Sequence, residues 1–208
     1  MELAIPSRTA LSVALRRAAH QLHDSPVVFA DPIAVAILGA TYAEELRRTP
    51  LRMDRPFSIA LRAFLVARSR YAEDNLRRAV ASGVDQYVLL GAGLDTFAYR
   101  NPFAKLRVTL SLVSAQPAGS GLTLDYGQPR DVLPVIERLA HDSLASRVER
   151  AGEPFRLFFT PPEIAAELSR FHGLEDLGAA EINARYFSGR TDQLAIRGTA
   201  GRLLSAWV

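Results

Sequence analysis

The segment Tyr87-Val88-Leu89-Leu90-Gly91-Ala92-Gly93-Leu94-Asp95-Thr96 holds the residues most able to do chemistry. A short apolar run enters a Gly-X-Gly turn, and an acid and a hydroxyl follow within two positions. A buried parallel strand delivers the chain to a nucleotide-type ligand in this way. Without a Cβ, the backbone at Gly91 and Gly93 can turn sharply and come close to a bound molecule. A dinucleotide-binding fingerprint would place a third glycine where Thr96 stands. Asp95 precedes it, and a carboxylate there would repel a pyrophosphate. The same acid suits a ligand carrying an ammonium or a sulfonium. Asp95 and Thr96 are also of the types that cap a following helix, which does not exclude ligand contact.

Arg68 is the second residue of interest. It falls on an otherwise apolar helix face, and a guanidinium buried there would need an anionic partner. The histidines His20, His23, His141 and His172 lie on helical or loop stretches without a neighbouring acid–nucleophile pattern. His20 and His23 have an i, i+3 spacing that a metal could use, but they read as solvated helix positions, so no metal site is expected.

These residues need elements to hold them. At 208 residues and 49% hydrophobic, the chain can bury a core and is expected to form one domain. No 18-residue uncharged apolar run occurs, so neither a transmembrane helix nor a membrane partner is expected. The N-terminus lacks the basic start and apolar stretch of a secretory signal, and cytoplasm is the expected compartment. The absence of cysteine excludes disulfides, thiolate catalysis and cysteine-based metal sites. The net charge is +3, with Lys105 the only lysine. The arginines interleave with acids, as in Glu44-Glu45-Leu46-Arg47-Arg48, which reads as solvated helix surface. No basic stripe with interleaved aromatics appears, so no nucleic-acid partner is expected.

Apolar spacing predicts a helix over 9–22, with Ser7 or Thr9 able to cap it, and a second opening at Asp31-Pro32. A long helix is predicted over 57–81. Strands are expected at 86–91, at 106–113 and at 122–126, with a short helix or turn near 95–100. Helical patterns follow at 131–150 and 162–171. The tail reads as two strands, near 180–184 and 192–197. Together these make an α/β domain with ligands at the carboxyl ends of its strands, split into a helical part (1–82) and an α/β part (83–208).

Several segments, taken in order, resemble the leucine carboxyl methyltransferase type of class I methyltransferases, especially their actinobacterial homologues. They are Ser7-Arg8-Thr9-Ala10, Asp31-Pro32, Ala67-Arg68-Ser69-Arg70-Tyr71-Ala72-Glu73-Asp74 and Leu90 through Arg100. Further on come Pro117-Ala118-Gly119-Ser120, Asp125-Tyr126, Arg147-Val148, Gly152-Glu153-Pro154-Phe155, Glu175 through Gly178, and Asn183 through Arg190. The resemblance implies a Rossmann-like class I methyltransferase fold, a mostly parallel sheet flanked by helices, with a helical N-terminal extension. It also implies methyl transfer from S-adenosylmethionine to a carboxylate or another oxygen of a small-molecule acceptor. Gly91, Ala92, Gly93 and Asp95 would lie beside the amino acid end of that cofactor. Arg68 would pair with its carboxylate, and Arg8 falls near a second basic contact.

The sequence also departs from that family. Only about thirty residues separate Gly91 from the strand at 122, no more than one strand–helix–strand unit needs. The family places three further strands there, including the acid that holds the ribose hydroxyls. The sheet is therefore expected to be shortened, with the join near Val108-Thr109. Residues 109–116 match the end of a later family helix although their own pattern reads as strand. A homo-oligomer could complete the sheet, and the alternative function is a catalytically reduced binding or assembly module. Tyr126 could line an acceptor pocket or simply pack. Arg185 and Arg190 could steer an acidic substrate or pair with Glu181 or Asp192.

Overall fold

The computed structural model describes residues 7–48, 55–90, 93–109, 119–155, 157–169 and 171–207. The first helix, α1 (Arg8–His23), is capped as expected, with Ser7 Oγ accepting from the Ala10 amide at 3.1 Å. Its alanines, Ala14, Ala18 and Ala19, are buried against Ala34, Leu38 and Leu46, and their small size lets the segments pack closely.

No α-helix opens at Asp31-Pro32. Residues 31–34 form a turn, closed by the Ile33 amide on Asp31 Oδ1 and the Ala34 amide on the Asp31 carbonyl. A 3-10 helix (Ala36–Leu38) follows, then α2 (Ala40–Arg48). The Asp31 side chain is drawn into an ion network with Arg17 and Thr96, so it does not serve as a simple helix cap. The long helix is confirmed as α3 (Pro56–Ala81), with its proline in the first turn where no amide donor is needed.

Strand β1 (Gln86–Val88) pairs in parallel with β2 (Arg107–Thr109), and Tyr87 lies opposite Val108. The expected strand over 106–113 is thus present at 107–109, while 110–113 lie outside the described residues. Between the two strands sits α4 (Phe97–Arg100).

A second sheet has the order β3 (Gly121–Gly127), β5 (Gly201–Trp207), β4 (His172–Leu177), with both pairings antiparallel. Its connections carry α5 (Val135–Arg150), α6 (Pro161–Glu167) and, after β4, α7 (Ala179–Tyr186).

The expected tail strands at 180–184 and 192–197 do not form. Residues 180–184 are helical because Glu181 reaches back to the Gly178 amide at 3.0 Å and closes the first turn. Residues 192–197 are irregular backbone that buries Leu194 and Ile196. The strand missed at the end, β5, buries Leu203, Leu204, Ser205 and Ala206 in succession, so it shows no alternation to read.

The architecture is a mixed α/β fold, but the single shortened, mostly parallel sheet expected from the resemblance is replaced by two sheets. Among the described residues no ladder joins them. Helix α3 bridges the gap: it packs on β3 and β5 through Ala63, Val66 and Tyr71 and carries Leu76 into the cluster of Phe97 and Leu106 beneath β1. Among the described residues no helix is long and apolar enough to cross a membrane.

Candidate active site

A cleft of about 700 Å³ opens between the two sheets. Its walls are α1 (Ser7 to Arg17), the middle of α3 (Arg68 to Ala72), the end of β1, the corner Gly93-Leu94-Asp95, and Thr123 to Asp125 of β3. Gly93 has φ +52°, in the left-handed region where a Cβ would be strained. Gly91 and Ala92 lie outside the described residues.

The corner is anchored by charge. Asp95 Oδ1 accepts from the Phe97 amide at 2.8 Å and so starts α4, as its residue type suggested. Its other oxygen is 3.8 Å from Arg17 Nη1. Arg17, on the buried face of α1, also donates to the Leu94 carbonyl and lies 3.0 Å from Asp31. Burial lowers the Arg17 pKa, and Asp31 and then Asp95 work against that.

Thr96 does not cap α4 with its side chain. It is fully buried and donates to Asp31 Oδ2 at 2.6 Å. Arg100 donates to Thr96 Oγ1 at 3.0 Å, pairs with Glu73, and stacks 4.9 Å over the Phe29 ring. A chain of alternating charges thus ties α1, the 31–34 turn, α3 and α4 to the glycine corner.

Arg68 is not buried as expected. Its side chain is 34% exposed and reaches across the cleft to Asp125, which is 37% exposed, at 3.3 Å. Tyr87 lies under the corner, where burial, then Asp95 and Glu73, push its phenol well above the usual range. Glu153 borders the mouth beside Ser7 and Thr9, whose hydroxyls hold its carboxyl below the ordinary value.

The other expected site residues lie elsewhere. Successive strand residues face opposite sides, so Asp125 meets the cleft while Tyr126 packs with Ile164, Leu204 and Ala206. The Tyr126 hydroxyl donates to Asp176 at 2.6 Å, which Arg202 also holds. Arg185 pairs with Glu175 at 2.7 Å, not with Glu181, and Tyr71 donates to the same carboxylate. Arg190 pairs with Asp192 at 2.9 Å, one of its two expected partners. Arg8 borders a different groove, on the far side of α1. His20 is not solvated but fully buried: Nδ1 faces Asp24 at 2.8 Å, and Nε2 accepts from the Val28 and Phe29 amides.

Arg17, Asp31, Arg100 and Glu73 were missed as site-forming residues. Arg17 could have been found, because it stands three residues after Ala14 and next to Ala18, within the apolar stripe. Arg17, not Arg68, is the guanidinium buried on an apolar helix face with an anionic partner.

Residues 10–111 match the family model of leucine carboxyl methyltransferase. Over these residues, just under half of its length, the chain is similar to the leucine carboxyl methyltransferase family. Three similar proteins are named as S-adenosyl-L-methionine-dependent methyltransferases. One, from Frankia alni, is 37% identical over 116 residues, covering 53% of this chain and 40% of that protein. One from Bacillus subtilis is 33% identical over 116 residues, covering 46% and 38%. One from Mycobacteroides abscessus is 35% identical over 105 residues, covering 50% and 34%. The match therefore spans well under half the length of these relatives. Within the leucine carboxyl methyltransferase segment fall Arg17, Asp31, Arg68, Asp95 and Arg100, whereas Asp125 and Glu153 come from beyond it.

Proposed function

We propose that the chain binds S-adenosylmethionine in this cleft and transfers its methyl group to an oxygen of a small molecule, a carboxylate by preference. One observation carries the reading: a half-exposed guanidinium, Arg68, and two carboxylates, Asp95 and Asp125, surround a left-handed glycine in one cleft. That is a set of partners for a zwitterion. The arginine suits a carboxylate, to which it can donate two parallel hydrogen bonds. The acids suit an ammonium and tolerate a sulfonium. The cleft volume lies in the range of small-molecule sites.

Methyl transfer is an in-line displacement at a sulfonium methyl, so the protein contributes mainly orientation and exclusion of water. A carboxylate acceptor, with a pKa near 4, is already ionised at neutral pH and needs no base. The described cleft lining contains no histidine, and the Tyr87 phenol stays protonated. Those facts favour the carboxylate over a phenol or alcohol.

The fit is to the amino acid end of the cofactor. At the end of β2 no carboxylate joins the cleft lining among the described residues, so no ribose partner comes from that strand. This favours a second reading, a reduced homologue that keeps the amino acid end of the site without turnover.

Calorimetric titration with S-adenosylmethionine and S-adenosylhomocysteine tests both. Micromolar binding, abolished by Arg68→Ala, supports the cleft. Asp125→Asn removes one of the two carboxylates offered to the ammonium and weakens binding by up to about fivefold, the scale of an exposed ion pair. No binding at millimolar cofactor ends both readings. Binding without a methylated product in mass spectra, across a panel of carboxylic acids, leaves the second.

A further inference from the structure

The side of α1 turned away from the cleft borders a second groove, of about 470 Å³, shared with α2 and the end of α5. Arg17 and its cleft-facing neighbours lie on one face of the helix, and Arg8, Leu11, Ser12, Leu15 and Arg16 on the other. Three cations converge on the groove, Arg8, Arg16 and Arg147, and the one acid among its described lining residues is Glu45.

Arg16 is the informative residue. Its Nη1 donates to the Ser12 carbonyl at 3.0 Å and to the Ser12 hydroxyl. Its Nε is buried without a hydrogen-bond partner. Burial, and then Arg147 and Arg62, lower its pKa. A partly desolvated cation pressed against a second one, with three arginines to the single acid Glu45 in the lining, is a costly arrangement unless an anion completes it. Arg147 stands beside it, 5.6 Å over the Phe57 ring, with its Nε donating to the Ser143 carbonyl at 3.1 Å. The rest of the lining includes Leu11, Leu15, Leu46 and Tyr42, an apolar wall next to the charge.

We infer that this groove binds a small amphipathic oxyanion, a carboxylate or a phosphate monoester with a short apolar tail. Arg16 and Arg147 grip the head, Arg8 closes over it, and the tail lies along Leu11, Leu15 and Tyr42. This site is separate from the cleft and does not depend on methyl transfer.

The test uses the full chain in chloride buffer with three probes: sodium hexanoate, hexyl phosphate and inorganic phosphate. Calorimetry is expected to show saturable binding of the tailed probes, tighter than inorganic phosphate, with a matching rise in melting temperature. Arg16→Met is expected to weaken that binding by about tenfold or more, the scale of losing hydrogen bonds to a charged group. The same change removes an uncompensated buried charge, so the ligand-free variant melts no lower than the parent. Arg147→Gln, a second and more exposed change, weakens the probes likewise. S-adenosylhomocysteine titrates unchanged in both variants, which separates this site from the cleft. The better of the two tailed probes identifies the head group. If neither tailed probe saturates in the millimolar range, or both variants bind them like the parent, the inference is overturned.

Discussion

Asp24 accepts three buried side-chain hydrogen bonds. His20 Nδ1 meets it at 2.8 Å, and Arg62 donates to both of its oxygens at 2.8 Å. Burial alone would raise the Asp24 pKa, but His20 and Arg62 override it and hold the carboxyl below the ordinary value. A carboxyl depressed in the folded state stabilises the protein above its unfolded pKa, about 4, and that stability is lost as the pH falls through the lower folded value. We therefore expect urea stability to be flat through neutral pH and to drop only on strong acidification. Asp24→Ala should cost about 3–5 kcal/mol at pH 7, the scale of breaking a buried ion pair. A midpoint within error of the parent would contradict this. Sequence legibility follows the same physics. Gly93, Asp95 and Arg68 could be read because their types are unusual where they stand. The Asp24–Arg62 pair could not, because charges on and beside helices are usually solvated and these two partners lie far apart along the chain.

At the scale of elements, helices with caps and long apolar periods were legible to within a residue or two, as α1 and α3 show. The two strands of the C-terminal half failed for different reasons. β5 is buried on both faces, and β4 carries an irregularity between His172 and Glu175 that breaks its alternation. The β3–β5 register also places Gly121 opposite Trp207. A Cβ at Gly121 would enter the space of the indole six-membered ring, so the strand end depends on a residue without one. Gly121→Ala should cost about 1–3 kcal/mol through overpacking, measured by urea unfolding. A neutral result would mean that the indole can swing aside freely.

At the scale of the molecule, the resemblance anticipated a shortened sheet but not its division into two. Three-residue strands in a two-stranded parallel pair are marginal by themselves, and the outer edge of β3 is unpaired among the described residues. A second copy pairing along that edge would complete the sheet, and light scattering should then give twice the monomer mass. A strictly monomeric protein at high concentration removes this arrangement. The cleft draws one wall from each sheet, and among the described residues α1, α3 and side-chain pairs such as Arg68 with Asp125 link the walls.

The protein contains one tryptophan, Trp207, and it ends the central strand of the antiparallel sheet. Its fluorescence will therefore follow that sheet alone, while circular dichroism near 222 nm follows the helices. If the two halves cooperate as one unit, the two denaturation curves will superimpose. If the emission changes first, the ladder around Trp207 opens while the helical scaffold persists, and the order of disassembly can be read from a single titration without a label.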